Sequence, residues 1–131
     1  MPIHLFIDWE NRQPSGAELA QIRGSRYRLW IMHGPQQKSF PSEQVNAWQP
    51  LGEQVKLVQS MKAGKNALDM HIAFSIGEAS EHDRHQESAG CYVVVSGDKG
   101  FEALFGYLEG RGINVMRAES LSEALKLAGA L

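Results

Sequence analysis

Three aspartates sit where an α/β chain can do chemistry: Asp8, which ends the apolar run "IHLFID" and precedes Glu10 and Asn11; Asp69, in "NALDMHIAF"; and Asp98, in "VVSGDKG". Each also has a purely structural reading. Asp8 can begin a turn, Asp98 can cap a helix starting near Gly100, and Asp69 can favour the positive end of a helix dipole. Gathered on one edge, three carboxylates repel one another by several kcal/mol in a partly dry site unless protons or cations neutralise them. Bound metal resolves the repulsion. Hard oxygen ligands without His or Cys clusters point to Mg2+ or Mn2+, which keep several waters and take one or two carboxylates each.

The elements that must position these residues alternate in type. Strand-like runs are expected at residues 3–7, 27–34, 53–59, 91–96 and 113–118. Helices are expected between them: one opened by Pro14 and Ser15 and closed by Gly24, a short one capped by Ser42, one over 66–80, one over 99–112, and a closing one over 120–131. The run "CYVVVS" is continuously apolar, which suits the centre of a parallel sheet covered on both faces. This order predicts an α/β fold, a three-layer α/β/α sandwich of Rossmann-like type with a central, mainly parallel five-stranded sheet. Ligands in such sheets sit beyond the carboxyl ends of the strands, where strand order switches. Asp8 follows the first strand, Asp98 the fourth, and Asp69 lies in the first turn of the helix after the third, so all three belong to one edge.

With 131 residues, 43% hydrophobic and 21% charged, the chain reads as one domain over 1–131. Its single cysteine, Cys91, excludes an internal disulfide and a multi-cysteine zinc site, and reads as a buried strand residue. No basic leader and no run near the roughly 18 apolar residues of a membrane span is present, so a soluble, cytoplasmic protein without membrane partners is expected. A formal charge of −2 gives no global attraction to phosphate backbones; a nucleic-acid partner would need a local basic face or bound cations.

Three blocks, "FIDWENRQPSGAEL", "KAGKNALDMHIAFSIGE" and "YVVVSGDKGFEALFGYLEGRGINV", resemble in order those of the PIN-like nuclease superfamily, and within it the NYN-type branch. The resemblance implies a PIN-like sandwich and metal-dependent cleavage of RNA, with structured or single-stranded DNA as a further substrate class. By position it implies that Asp8, Asp69 and Asp98 are metal ligands, that Asn11 supports the site, and that Ser96 orients Asp98 or a metal-bound water. Gly100 stands where many NYN relatives carry a further aspartate, and Glu102 or Glu10 are the candidates to replace its charge. The mechanism that follows is phosphodiester hydrolysis by metal-activated water, most simply by an endoribonuclease. The alternative is a PIN-like module with weak or lost catalysis that binds nucleic acid or serves assembly, and a homodimer is compatible with either reading.

Lys62, Lys65, Arg12 and Lys99 flank the same blocks and are candidates for substrate phosphates, Lys65 first because it precedes the helix bearing Asp69. Trp9 is a candidate for stacking on an unpaired base, with core packing as the equal alternative. "EHDRH" at 81–85 has metal-like spacing but lies in a polar stretch read as a mobile loop. His71 reads as a packing residue, and "GDKG" lacks the Walker spacing of nucleotide hydrolases. A receiver-like domain would need an acidic pair after the first strand and a phosphoacceptor directly after the third, which this chain does not offer.

Overall fold

Alternation with period two runs through the strands and decides the layering. In β1 (Ile3–Asp8), Ile3, Leu5 and Ile7 join one buried cluster and Phe6 joins another on the opposite face. β2 (Tyr27–His33) repeats the pattern with Leu29 and Ile31 against Trp30 and Met32, and β4 (Cys91–Val95) with Cys91, Val93 and Val95 against Tyr92 and Val94. The computed structural model of the protein describes residues 1–130, the Lys65 side chain excepted.

The sheet has the order β3-β2-β1-β4-β5, where β3 is Val55–Gln59 and β5 is Asn114–Ala118, and all four pairings are parallel. The chain builds outward from β1 to β2 and β3, then returns to the other side of β1 for β4 and β5. The switch in strand order therefore falls between β1 and β4, with Ile7 opposite Val95 in register.

Helices cover both faces. α1 (Gly16–Leu19), α2 (Ser42–Trp48) and α5 (Leu121–Gly129) bury Leu19, Trp48, Leu121, Ala124 and Ala128 against the Leu5 face. On the Phe6 face, α3 (Lys65–His85) contributes Leu68, Ile72, Ile76 and Ala79, and α4 (Phe101–Gly110) contributes Phe101, Phe105 and Leu108. β3 is an edge strand, and its Leu57 is exposed. Among the described residues, no helix is long and apolar enough to cross a membrane.

Four local expectations need correction. The helix expected between Pro14 and Gly24 is a single turn, held by a capping box in which Ser15 Oγ accepts from the Glu18 N–H and Glu18 accepts from the Ser15 N–H. Ser42 is the first residue of α2 rather than its cap; Pro41 takes the cap position and gives no side-chain bond. α3 starts at Lys65, so Asp69 lies just beyond its first turn. Finally, 81–85 is no loop but the end of α3, because Asp83 continues the buried face of Ile72, Ile76 and Ala79 and finds polar partners in the sheet.

Candidate nuclease site at the sheet switch

Asp8 is the last residue of β1 and only 3% exposed. The chain turns sharply behind it, since the Asp8 carbonyl accepts from the N–H groups of both Asn11 (3.0 Å) and Arg12 (2.8 Å). That turn sends Trp9 inward and leaves Glu10, Asn11 and Arg12 at the surface.

Across the switch, the segment after β4 is built to meet this turn. Ser96 is fully buried; its hydroxyl donates to Asp8 Oδ2 at 2.8 Å and accepts from the Asp98 N–H at 3.0 Å. Asn11 Oδ1 accepts from the Gly97 N–H at 2.7 Å, a second tie between the same two segments. Gly97 lets the two segments approach closely, since a Cβ would lie 3.1 Å from Asn11 Oδ1 and 3.2 Å from Arg12 Nη2, and both side chains would have to give way. Asp98 in turn accepts from the Gly100 N–H through Oδ1 at 2.9 Å, which starts the turn into α4.

A charged chain walls the β5 side. Arg117 Nη1 donates to the Ser96 carbonyl (3.0 Å) and to Glu119 Oε1 (2.8 Å), and Glu119 Oε2 accepts from Arg12 Nη2 at 3.3 Å. Arg117 Nη2 also lies 3.6 Å from Glu102 Oε1. The hydrogen bonds from Arg117, and then Arg12, hold the Glu119 carboxyl below its ordinary range. Sequence reasoning missed Arg117 and Glu119, which carry no local signal and matter only because β5 lies beside β4.

The expected site residues divide by position. Asp8, Ser96, Asp98 and Asn11 form one bonded group at the switch. Asp69 is half-buried near the start of α3, on the same edge of the sheet but on another element. Glu102 is exposed and turned to Arg117, and Glu10 leans over Gly34, where a Cβ would meet its Oε1 at 3.0 Å. Arg12, Lys62 and Lys99 are exposed, while the Lys65 side chain lies outside the described residues. Trp9 cannot stack on a base: it is 1% exposed, edge-on to Phe40 and Trp48 in the core.

Among the described residues, no three or more His, Cys, Asp or Glu side chains converge into a group that could hold a metal ion. What the switch does offer is a buried carboxylate at Asp8, a partly buried one at Asp98, and a hydroxyl that joins the first carboxylate to the backbone N–H of the second residue. That donor set fits magnesium or manganese in kind, since such ions take one or two carboxylates and keep their waters.

A family model described as PIN domain matches residues 2–118. The chain is a PIN domain. No curated protein and no solved structure matches it. PIN domains are generally nucleases that use divalent metal ions and bind nucleic acid, and their α/β fold agrees with the parallel five-stranded sheet and its flanking helices.

Proposed function

We propose that this PIN domain, one domain over 1–131 and of NYN type by its three sequence blocks, is a metal-dependent endoribonuclease of the cytoplasm. Asp8 and Asp98 would hold magnesium or manganese at the switch, Asp69 is proposed as a further ligand from its place in the sequence, and RNA would be the substrate. The observation that carries the reading is the Ser96 hydroxyl, which joins Asp8 Oδ2 to the backbone of Asp98 across the sheet switch. A buried carboxylate beside a fixed hydroxyl supplies hard oxygen donors of the kind these ions take.

When bound, the ion would supply an activated water and neutralise charge on the phosphate. The chain's own residues do the rest. Ser96 fixes the rotamer of Asp8, and Asn11 fixes the Gly97 backbone, so the two strand ends keep one spacing. Arg12, half-exposed and paired only at the surface with Glu119, is placed to exchange that partner for a substrate phosphate. Lys99 and Lys62 would extend the phosphate track, and Lys65 remains a proposal from its place in the sequence.

A second reading has its own support. Asp98 Oδ1 is engaged by the Gly100 N–H and Glu102 by Arg117, which favours a module that binds nucleic acid with weak catalysis. A manganese- and magnesium-dependent cleavage assay on single-stranded and hairpin RNA decides between them. Cleavage that needs the metal and disappears in Asp98→Asn supports the nuclease; RNA binding that survives in that variant, with no cleavage by the parent, supports the binding module.

A further inference from the structure

At the opposite edge of the sheet, beyond the amino ends of the strands, a cavity of about 710 Å3 opens between β2, β3 and the last turns of α3. Its size falls in the roughly 300–1,000 Å3 range of small-molecule sites. Its floor is polar but already satisfied: the buried His4 accepts from the Trp30 indole N–H at Nδ1 (3.0 Å) and donates from Nε2 to Asp83 Oδ2 (2.9 Å). Recognition therefore falls to the walls.

Three cations line those walls, Arg26, Arg28 and Lys56, and among the described residues none of them forms an ion pair. Arg28 and Lys56 share the sheet face of His4, since Arg28 is opposite His4 and Lys56 opposite Trp30 in register. Both are held in place. Arg28 Nη1 is anchored on the carbonyls of Ser25 and Tyr27, which leaves its other guanidinium nitrogens for a ligand, and the Lys56 ammonium lies 4.7 Å from the centre of the Trp30 ring. Arg28 and Lys56, held in place and outside any ion pair among the described residues, give with Arg26 three cationic donors to a multiply charged anion, for which a phosphate monoester is better matched than a single carboxylate. The same walls carry Glu53 and Glu78, acceptors that a bare phosphate would leave unused and repel.

We propose that this cavity binds a phosphate monoester bearing hydroxyl or amino groups, the class of nucleoside monophosphates, with Arg26, Arg28 and Lys56 on the phosphate and Glu53 and Glu78 accepting from the remainder. The site lies at the far end of the strands from Asp8 and does not depend on the nuclease reading.

AMP, adenosine and inorganic phosphate are the probes, read by calorimetry and by N–H NMR spectra of the full chain. AMP should bind and shift the Trp30 indole N–H, while the indole signals of Trp9 and Trp48 stay in place. Arg28→Gln combined with Lys56→Gln should weaken AMP by about 100-fold, two charge-assisted contacts being lost. Both substitutions are of side chains outside the core, so an unchanged unliganded spectrum verifies the fold. Asp98→Asn should bind AMP as the parent does, which separates this site from the cleavage site. No binding of AMP at millimolar concentration, equal binding in the double variant, or shifts centred on Asp8 and Ser96 would each overturn the proposal. Adenosine binding as tightly as AMP would remove the phosphate from the claim, and phosphate binding as tightly as AMP would remove Glu53 and Glu78; either result overturns the assignment of ligand class.

Discussion

Removing the Ser96 hydroxyl takes a donor from the buried Asp8 and an acceptor from the Asp98 N–H at once. Ser96→Ala should therefore cost about 1–3 kcal/mol in denaturant unfolding and lower metal-dependent cleavage by about 10- to 100-fold, the usual effect of losing a group that orients a ligand. A variant that keeps parental cleavage would mean that the serine only fills space. Glu102→Gln makes the opposite prediction. Because Glu102 faces Arg117 at the exposed rim, the manganese concentration needed for cleavage should not move; a shifted titration curve would return Glu102 to the site. Gly100 adopts an ordinary helical φ of −61°, so no positive φ reserves the position for glycine. A Cβ there would sit 3.1 Å from Asp98 Oδ1, so an added aspartate would press on the carboxylate it is meant to assist, which would have to yield by a few tenths of an ångström. The burial of Trp9 is legible at this scale: it lies two residues after Ile7, and the period that buries Leu5 and Ile7 carries it onto the same face. The pairing of Glu102 with Arg117 was not legible, because it joins α4 to β5 and depends on their packing.

At the scale of elements, the end of α3 is fastened by a buried network. Asp83 Oδ2 accepts from both His4 Nε2 (2.9 Å) and the Tyr92 hydroxyl (2.6 Å), tying the helix to β1 and β4. Gly90 makes room for it, since a Cβ would fall 2.5 Å from the Tyr92 oxygen and 2.6 Å from Asp83 Oδ2. Burial pushes the His4 pKa below its ordinary 6.5, outweighing the opposing pull of Asp83, and burial with the Asp83 bond drives the Tyr92 pKa far upward. The histidine is thus neutral in the native protein and takes up its proton more readily when unfolded. Its contribution is present in full above pH 6.5 and declines as the pH falls from there toward the lowered native value. Denaturant midpoints should fall between neutral and mildly acid pH, and His4→Gln should flatten that part of the profile; an identical slope in both proteins would place the dependence elsewhere. The sequence showed Asp83 only as a member of a polar run. Its spacing from Ile72, Ile76 and Ala79 marks the buried face of a helix, a signal obscured by its charged neighbours.

For the whole molecule, the alternation of strands and helices was enough to expect five strands and three layers, because buried parallel strands are written as apolar runs. Their order was not in the runs: it depends on which way each crossover turns, and the placement of the switch between β1 and β4 is what brings Asp8 to Ser96. One consequence reaches the stability of the entire fold. A cation that binds at the switch binds only when β1 and β4 are paired, so binding energy becomes folding energy by mass action. At a concentration 100 times the dissociation constant, the gain is about 2.7 kcal/mol. Manganese or magnesium should therefore raise the melting temperature of the parent. Asp8→Asn should remove the rise without unfolding the protein, because the amide oxygen still accepts from the Ser96 hydroxyl. The substitution Lys56→Gln, two strands away from Asp8 on the edge strand β3, should retain it. A midpoint indifferent to millimolar manganese in the parent would leave the carboxylates at this edge as structural groups and favour the nucleic-acid-binding module over the nuclease.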